Sequence, residues 1–343
     1  MPSVLVCVSG GVDSSVSVYL LKKKGFDVTG VFLRLTDTEG EKRSLESAKQ
    51  ILNKLNCPFK IIDKRKEFKK VIIDYFKKSY FQGKTPNACV ICNPFIKFDT
   101  ALSIAQKSRV DFIATGHYAK IFNKREKVFL IKAKDKNKDQ SYFLHQLKRD
   151  SLYKIIFPLG NLSKKQTRQI AEDIGISKLT QSESQDICFF KGDYRQFLKE
   201  QFKNAIRPGP IISSKGEVLG EHRGLFNYTI GQRRGLGIPD KTPFYVLKLD
   251  VQKNALIVGK EKELFKREFF VRNINWLLEP KAEIIKCMVK IRSRHKAASA
   301  NLHILEPNKV RVVFDKAQKA VTPGQFAVFY KGLVVVGGGE ICA

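Results

Sequence analysis

The sequence lacks long hydrophobic runs: no apolar stretch approaches the ~20 residues that a membrane-spanning helix needs. It also leaves no room for a signal peptide, because the chain begins directly on an apolar strand. We therefore predict a cytoplasmic protein with no membrane partner. A mean hydropathy of −0.24 is typical of a globular chain, and 343 residues suffice for two or three domains.

Cysteine is too sparse for a disulfide-based scaffold. The chain has seven cysteines, an odd number, whereas small secreted folds held by disulfides are much richer in them. Four stand in or beside predicted strands or at the end of the chain, and we expect them to serve packing: Cys7, Cys57, Cys287 and Cys342. The other three stand in different surroundings: Cys89, Cys92 and Cys188.

Cys89 and Cys92 form a Cys-x-x-Cys motif, which we place in a loop after a long helix. A zinc site is disfavoured because no second Cys-x-x-Cys or paired histidines complete four ligands, so we predict no metal held by the protein alone. A thioredoxin-like pair would follow the first strand of its fold, which is not the context here. The third interpretation is a single reactive cysteine, whose thiolate is stabilised by helix N–H groups or nearby cations. Cys188 is either its partner thiol or a buried packing residue beside Phe189 and Phe190.

Acidic residues are scarce relative to basic ones. The chain has 63 lysines and arginines against 33 aspartates and glutamates, which gives a net charge of +30. This excess favours a polyanionic partner such as nucleic acid, through counterion release. A general lysine-rich bias is the alternative, because the lysines are spread along the whole chain. The charged stretch Lys132–Lys138 is either a solvated loop or a phosphate contact.

The most informative segment present is residues 4–15. Val4–Val8 predicts a buried strand, Ser9-Gly10-Gly11 a tight turn, and apolar residues at helical spacing predict a helix from Val12 to about Gly25. A glycine turn before a helix N-terminus binds anions, because unpaired N–H groups point outward. It is neither a Walker A loop nor a Gly-x-Gly-x-x-Gly motif. The alternative is an ordinary turn capped by Ser9 or Asp13.

The first half of the chain alternates strands and helices. The predicted strands are 4–8, 28–33, 59–62 and 111–114, and the predicted helices are 12–25, 44–56, 67–81, 163–175 and 193–202. This order predicts an α/β fold with a doubly wound parallel sheet, whose ligands bind at the carboxyl ends of the strands. The glycine turn and Gly116-His117 both follow strands, so we place them at one edge. Segments 127–133 and 141–147 are expected to complete this domain.

The second half is rich in short apolar segments between glycine turns. Arg207-Pro208-Gly209-Pro210 breaks the earlier pattern, and the strands predicted after it are 245–249, 255–258, 269–276, 284–291, 310–314 and 332–336. We predict a catalytic domain at 1–205, a small β-rich central domain at 206–270 and a C-terminal β-barrel at 271–343.

One motif and the chain as a whole resemble known families. Ser9–Ser14 resembles the PP-loop of the ATP pyrophosphatases, the adenine nucleotide alpha hydrolase-like fold, whose members split ATP between the α- and β-phosphates. The whole chain resembles the tRNA-specific 2-thiouridylase family, the tRNA-uridine 2-sulfurtransferases. The matching motifs run nearly end to end: 9–15, 85–87, 92–93, 96–98, 114–119, 138–144, 157–160, 184–189, 222, 224, 228–238, 322–325 and 338–340.

The resemblance implies roles for individual residues. It implies that Cys92 is the nucleophile and Cys188 the persulfide carrier. The residues implied to bind ATP are Cys7, Val8, Ser9, Gly10, Gly11, Val12, Asp13, Ser14, Leu33 and Gly116. Those implied to meet the tRNA or its target base are Asn87, Cys89, His117, Lys138, Asp139, Gln140, Arg292, Arg294 and Gln325. Some members carry Asp in place of Cys89 with an acid–base role, which we leave unassigned here.

The resemblance also implies substrates and partners. These are ATP with Mg²⁺, tRNA of the Lys, Glu and Gln acceptors, and a sulfur donor that is either a cysteine desulfurase or a relay protein. The reaction implied is adenylation of the C2 oxygen of the wobble uridine and delivery of sulfur from a cysteine persulfide. Two alternatives remain: a PP-loop ligase that adenylates its substrate without cysteine-borne sulfur, and an RNA-binding module with a regulatory nucleotide site.

Overall fold

The computed structural model describes residues 1–180, 187–190, 192–202 and 207–342, and its strands form three sheets. The strands before residue 160 are β1 (Ser3–Cys7), β2 (Asp27–Arg34), β3 (Phe59–Asp63), β4 (Phe112–Thr115), β5 (Ala119–Lys124), β6 (Lys127–Lys132) and β7 (Ile155–Ile156). The helices are α1 (Val12–Lys23), α2 (Glu39–Lys54), α3 (Arg65–Phe68), α4 (Asp74–Phe81), α5 (Ala88–Cys92), α6 (Asp99–Lys107), α7 (Lys164–Asp173) and α8 (Tyr194–Gln201).

Two long helices contain a wider, π-helical turn. Lys69–Ile73 joins α3 to α4, and Asn93–Phe98 joins α5 to α6. Short 3₁₀ turns occur at Ser141–Leu144, Arg149–Lys154, Ser177–Leu179, Leu225–Asn227 and Glu261–Leu264. Within the described ranges, Ala88–Lys107 is the one helical segment long and apolar enough to cross a membrane, and half of its most apolar window is buried in the fold. Such a segment is weak evidence for a membrane span.

The N-terminal sheet is parallel, with the strand order β3-β2-β1-β4-β7. Strand β1 is central, and Val4, Leu5 and Val6 are almost fully buried because helices cover both faces of the sheet. The predicted doubly wound parallel sheet is confirmed. Strands β1 and β4 are direct neighbours, with Cys7 opposite Thr115, so the loops that follow them leave the same edge.

The central and C-terminal sheets are built from the remaining strands. These are β8 (Gly209–Ser213), β9 (Val218–His222), β10 (Tyr245–Asp250), β11 (Ala255–Gly259), β12 (Phe265–Trp276), β13 (Ile284–Lys290), β14 (Ala298–Glu306), β15 (Lys309–Lys319), β16 (Phe326–Lys331) and β17 (Val334–Cys342). The central sheet has the order β10-β11-β8-β9. The predicted C-terminal barrel is confirmed: six strands run in the order β12-β15-β14-β13-β16-β17, and pairing of β17 with β12 closes them.

The sequence predicts two domain limits, and the structure bears on one of them. The limit between residues 205 and 206 lies outside the described residues. The limit between 270 and 271 falls inside β12, which pairs with β15 from Phe265 onward. A strand that is hydrogen-bonded along its length belongs to one sheet, so we propose that the barrel begins at Phe265.

The hairpin of β5 and β6 does not join the N-terminal sheet, as its assignment to that domain suggested. Instead β6 pairs with β17 through Ile131 and Val334, which extends the barrel sheet to eight strands. Val128 and Leu130 of the hairpin pack in one buried cluster with Phe326 and other apolar side chains of β16. The first and last parts of the chain therefore share a core, which fixes the barrel against the parallel sheet.

Candidate active site

The glycine turn after β1 is shaped by Gly10. This residue has φ +76°, and a Cβ atom placed on it would lie 2.3 Å from the carbonyl oxygen of Ser44. Its own carbonyl accepts a hydrogen bond of 3.0 Å from the Ser47 hydroxyl. Only glycine combines this backbone conformation with such a close approach. The turn is thereby locked against α2.

Helix α1 begins at this turn without a side-chain cap. Gly11 is its N-cap residue and supplies no side-chain acceptor, so the N–H groups of the first turn are not capped. The Ser14 hydroxyl accepts a hydrogen bond of 3.1 Å from the Ser9 amide and donates to the Gly11 carbonyl. These contacts hold the turn open around the helix N-terminus. The arrangement suits a phosphate group, because the N–H groups and the helix dipole favour negative charge.

We expect Gly10→Ala to lower the free energy of unfolding by about 3 kcal/mol, because it adds left-handed backbone strain to a clash with backbone atoms. Gly11→Ala is the matched control, since its Cβ would meet only the Ser9 hydroxyl at 3.6 Å, and φ there is −90°. Its expected cost is below about 1 kcal/mol. Chemical denaturation of both variants measures the difference. Equal costs would contradict the role given to the turn geometry.

Asp13, in the first turn of α1, is held by two neighbours. The buried Lys164 ammonium donates to both carboxylate oxygens, at 2.7 and 2.9 Å, and the Tyr118 hydroxyl donates at 2.9 Å. The Tyr118 hydroxyl also lies 2.9 Å from the Thr167 hydroxyl on α7. Lys164 is positioned by the Ser163 capping box at the start of α7. The Asp13 carboxylate is therefore already compensated, and α1 is tied to α7 and to the loop after β4.

The loop after β4 touches the glycine turn directly. A Cβ on Gly116 would lie 2.7 Å from the Ser14 amide nitrogen, so the two loops are in contact at the same edge of the sheet, as predicted. His117 follows, with its Nδ1 atom 2.8 Å from the Thr115 hydroxyl. Burial, aided by the nearby Lys97 charge, lowers the pKa of His117 to about 3. The imidazole is therefore neutral at physiological pH.

The other predicted nucleotide residues lie around this edge. Cys7 is the last residue of the central strand and Val8 follows it, and burial raises the pKa of the Cys7 thiol to about 12. Leu33 lies on the neighbouring strand β2 and packs against the core of the parallel sheet. Together with residues 9–14 and Gly116 they lie at the carboxyl ends of β1, β2 and β4. The role of this set in nucleotide binding stays a prediction.

The Cys-x-x-Cys motif does not lie in a loop, and that prediction is wrong. Asn87 caps α5, with its side-chain oxygen accepting a hydrogen bond from the Val90 amide, and both cysteines lie in the helix that follows. Cys89 is exposed, whereas Cys92 is 5% exposed. Burial raises the pKa of Cys92 to about 11. The helix continues because Asn93 is buried and donates to the Phe143 carbonyl.

The residues on both sides of Cys188 pack in the cluster that contains Cys92, although 96 residues separate the two cysteines in sequence. Phe189 belongs to the buried cluster that contains Cys92 and Ile96, and its ring centroid is 5.3 Å from that of Phe76. Cys188 itself reaches solvent, while the protein atoms crowded around its thiol raise its pKa to about 12. The charge of Cys92 contributes to this rise. Residues 184–186 of the same motif lie outside the described residues.

Lys97 lies in the helical segment between Cys92 and the residues next to the glycine turn. It was not among the predicted site residues. Burial acts to lower the pKa of Lys97, but the charges of Cys92, Cys89, Cys188 and Cys7 outweigh burial and raise it. No carboxylate pairs with Lys97 among the described residues. It lies between Ile96, in the cluster of Cys92, and Phe98, whose ring stacks near His117. In the sequence, Lys97 stands five residues after Cys92 and inside the matching motif 96–98, and this position could have identified it as a site residue.

The predicted segment Lys138-Asp139-Gln140 forms a braced loop. Asp139 accepts hydrogen bonds from the Ala133 amide and the Ser141 hydroxyl. Gln140 accepts from the Tyr118 amide at 2.8 Å, and its own amide donates to the Tyr118 carbonyl. The loop thus lies next to His117 and the nucleotide edge, and it is rigid because backbone and side chains both hold it.

Gln325 and Arg292 make contacts between parts of the chain. The Gln325 side chain donates to the Thr85 carbonyl at 2.8 Å, which anchors the segment before Asn87 to the barrel. The Arg292 guanidinium donates to the Ile230 carbonyl of the central region at 3.1 Å. Arg294 is exposed. Of the three side chains, that of Arg294 is the most accessible to a large ligand. Those of Gln325 and Arg292 hold other parts of the chain against the barrel.

Metal ligands do not cluster in the described part of the chain, where no group of three or more His, Cys, Asp or Glu side chains could hold an ion. Asp13 is engaged by Lys164. Open helix N–H groups and lysines suit phosphate oxygens better than a bare cation. A divalent ion at this edge would therefore have to be held mainly by the nucleotide that it accompanies.

The sequence matches three known domain types in order. Residues 2–192 match the tRNA methyl transferase HUP domain, residues 195–260 the tRNA methyl transferase PRC-barrel domain, and residues 266–341 the aminomethyltransferase beta-barrel domain. The chain is 40% identical over 345 residues to tRNA-specific 2-thiouridylase MnmA 1 of Clostridium botulinum (strain Okra / Type B1), with 99% of this chain and 98% of the relative covered.

Two further relatives agree. The tRNA-specific 2-thiouridylase MnmA of Halothermothrix orenii is 42% identical over 354 residues, with 99% of each chain covered. That of Acetivibrio thermocellus is 40% identical over 353 residues, with 98% of each chain covered. The similarity therefore extends over the parallel sheet, the central region and the barrel together. This protein belongs to the tRNA-specific 2-thiouridylase family.

Proposed function

We propose that this enzyme converts the wobble uridine of tRNA into 2-thiouridine at the expense of ATP, giving AMP and pyrophosphate. One observation carries the proposal: Cys92 and Phe189, the residue after Cys188, lie in one buried cluster. The helix continues from Cys92 to Phe98, whose ring centroid is 5.9 Å from that of His117 beside the glycine turn. A site for a nucleotide phosphate and two sulfur-bearing side chains therefore adjoin each other. Such a juxtaposition suits activation of a carbonyl followed by attack of sulfur.

ATP is the activating substrate in this proposal. The C2 oxygen of uridine is a poor leaving group, and its transfer to the α-phosphorus of ATP makes it part of AMP, which leaves readily. The uncapped N-terminus of α1 and the Gly10 turn would bind the phosphates that depart as pyrophosphate. Mg²⁺ bound to those phosphates would add charge neutralisation when present. Leu33 and Gly116 would border the nucleotide.

Cys188 is the proposed carrier of sulfur, as a persulfide loaded by a donor protein. Its terminal sulfur attacks C2 of the adenylated base, and AMP leaves with the bonding electrons of the C2–O bond. The Cys92 thiolate then attacks the inner sulfur of Cys188, which forms a Cys92–Cys188 disulfide and leaves the transferred sulfur on the base. In a second order of events, Cys92 attacks first and releases hydrosulfide as the nucleophile.

The tRNA would approach over the positively charged surface around the nucleotide edge. Residues proposed to meet it are Asn87, Cys89, His117, Lys138, Asp139, Gln140, Arg292, Arg294 and Gln325. The central region adds a cleft of about 570 Å³ with the exposed Arg233 and Arg234 on its wall. Guanidinium groups at such a cleft suit phosphates of the backbone. We propose acceptors for Lys, Glu and Gln, and a cytoplasmic desulfurase or relay protein as donor.

A reconstituted reaction tests the proposal. The protein is incubated with ATP, Mg²⁺, unmodified tRNA and a sulfur donor, and 2-thiouridine in the digested tRNA is measured by mass spectrometry. We expect 2-thiouridine and AMP to form together. AMP and pyrophosphate without thiolated product would identify a ligase that adenylates its substrate without cysteine-borne sulfur. Binding of tRNA that falls with salt, without AMP, would identify a binding module.

A further inference from the structure

The structure contains a third thiol at the site that the proposed reaction does not use. Cys89 lies three residues before Cys92 in the same helix, and its charge influences both Cys92 and Cys188. Cys89 is exposed, whereas Cys92 is almost fully buried. An exposed first cysteine and a buried second one in the first turn of a helix are the arrangement of a dithiol that exchanges disulfides.

The helix brings Cys89 and Cys92 within bonding range. Residues three apart on a helix have Cβ atoms ~5–6 Å apart, and small side-chain and backbone adjustments at a helix end bring them to the ~3.5–4.5 Å of a disulfide. The first turn of α5 allows such adjustment, because it is capped only by the Asn87 side chain at 3.4 Å. The wider π-helical turn begins immediately after Cys92, at Asn93.

The proposed turnover leaves an oxidised site that must be reset. Its product is a Cys92–Cys188 disulfide, in which the Cys92 sulfur is buried among Ile96, Phe189 and other apolar side chains. An external reductant has access mainly to the exposed Cys188 sulfur, and attack there leaves Cys188 in a mixed disulfide that cannot accept a new sulfur atom. A thiol on the same helix as Cys92 can reach the Cys92 sulfur from within the protein.

We propose that Cys89 resolves the Cys92–Cys188 disulfide, an inference that rests on the proposed function. The Cys89 thiolate, whose proton passes to solvent, attacks the Cys92 sulfur. The Cys92–Cys188 bond breaks, a Cys89–Cys92 bond forms, and Cys188 leaves as a thiolate beside the Lys97 ammonium. The exchange neither consumes nor produces electrons. Cys188 is then free for reloading, and a dithiol reductant reduces the new disulfide by attack on the exposed Cys89 sulfur.

Trypsin separates the two outcomes cleanly. Cys89 and Cys92 share the peptide of residues 85–97, and Cys188 lies in the peptide of residues 179–191. After one turnover without added reductant, the protein is quenched in acid, alkylated and digested. The relay predicts an internal disulfide in peptide 85–97 and an alkylated Cys188. A predominant crosslink between the two peptides in the wild-type protein would overturn it.

Cys89→Ser supplies the second measurement. In the protein that has completed one turnover we expect a crosslink between peptides 85–97 and 179–191, and at limiting dithiol we expect the ratio of the multiple-turnover to the single-turnover rate to be at least ~10-fold lower than in the wild-type protein. Multiple turnover equal to wild type at every dithiol concentration would contradict the relay. Failure of the proposed function has a different signature, because the wild-type protein would then form no 2-thiouridine and no disulfide. Cys342→Ser, a thiol in the barrel strand β17, is the matched control and should leave both readouts unchanged.

Discussion

Cys188→Ser is expected to lower 2-thiouridine formation by at least ~10³-fold while AMP formation on tRNA continues. A serine hydroxyl occupies nearly the same volume but cannot carry a sulfane sulfur atom. The packing of Phe189 against Phe76 and Phe68 is unaffected, so the fold should be retained. Product is measured by mass spectrometry of tRNA digests with a protein sulfur donor, and AMP is measured in parallel.

Two variants sharpen this expectation. Cys92→Ala should also abolish multiple turnover, but it should retain a persulfide on Cys188, which mass spectrometry of peptide 179–191 detects. Cys342→Ser removes a thiol outside the site and should leave both rates unchanged. Full thiolation by Cys188→Ser with a protein donor would show that sulfur reaches the base by another route. The assignment of Cys188 as carrier would then be wrong.

The glycine turn and its surroundings were predictable because each part depends on local chemistry. The strand, the turn and α1 lie where the apolar period and the two glycines predict them. Helix α7 begins after Ser163, which forms a capping box with Gln166, and ends before Gly175, whose φ is +66°. Caps and positive φ angles are properties of single residues and their near neighbours. They can therefore be read from a sequence.

The cysteine helix was missed because its sequence looks like a loop. Asn87, Asn93 and Pro94 are residues that usually mark turns, yet Asn87 acts as a helix cap and Pro94 stands at the second position of the π-helical turn. The hydrogen bond from Asn93 to the Phe143 carbonyl and packing against Phe76 and Phe189 compensate for the weak intrinsic helix preference. Tertiary contacts of this kind have no local signature.

Long-range partners were likewise beyond the sequence. The hairpin of β5 and β6 pairs with β17, about 200 residues later, and apolar alternation alone cannot choose between two sheets. The strands Ala298–Glu306 and Phe326–Lys331 were not predicted, although the first buries Ala300 and Leu302 and the second is buried except at Lys331. Lys97 was overlooked as a site residue because its significance depends on Cys188 and Cys7, which approach it only in the fold.

Lys97→Met should lower thiolation and the alkylation rate of Cys92 by ~10–10³-fold at pH 8. An opposite charge within ~4–6 Å shifts a pKa by ~1–3 units, and each unit changes the thiolate fraction tenfold when the thiol is mostly protonated. Burial raises the pKa of Cys92 to about 11, and the Lys97 charge opposes that rise. Removing the charge raises the pKa further, so less thiolate is present at any pH below it.

The pH dependence of Cys92 alkylation shows in which direction the pKa of the thiol moves. In the wild-type protein the alkylation rate of Cys92 by iodoacetamide should rise with pH toward about 11, and in Lys97→Met the same rise should be displaced to higher pH. The deficit of the variant is therefore constant while both thiols are mostly protonated, and it shrinks as the pH passes the wild-type pKa. Lys97→Arg keeps the charge and should retain most reactivity. Lys107→Met, an exposed lysine at the end of α6, is the matched control. A deficit as large in Lys97→Arg as in Lys97→Met would mean that Lys97 supports packing rather than the sulfur anion.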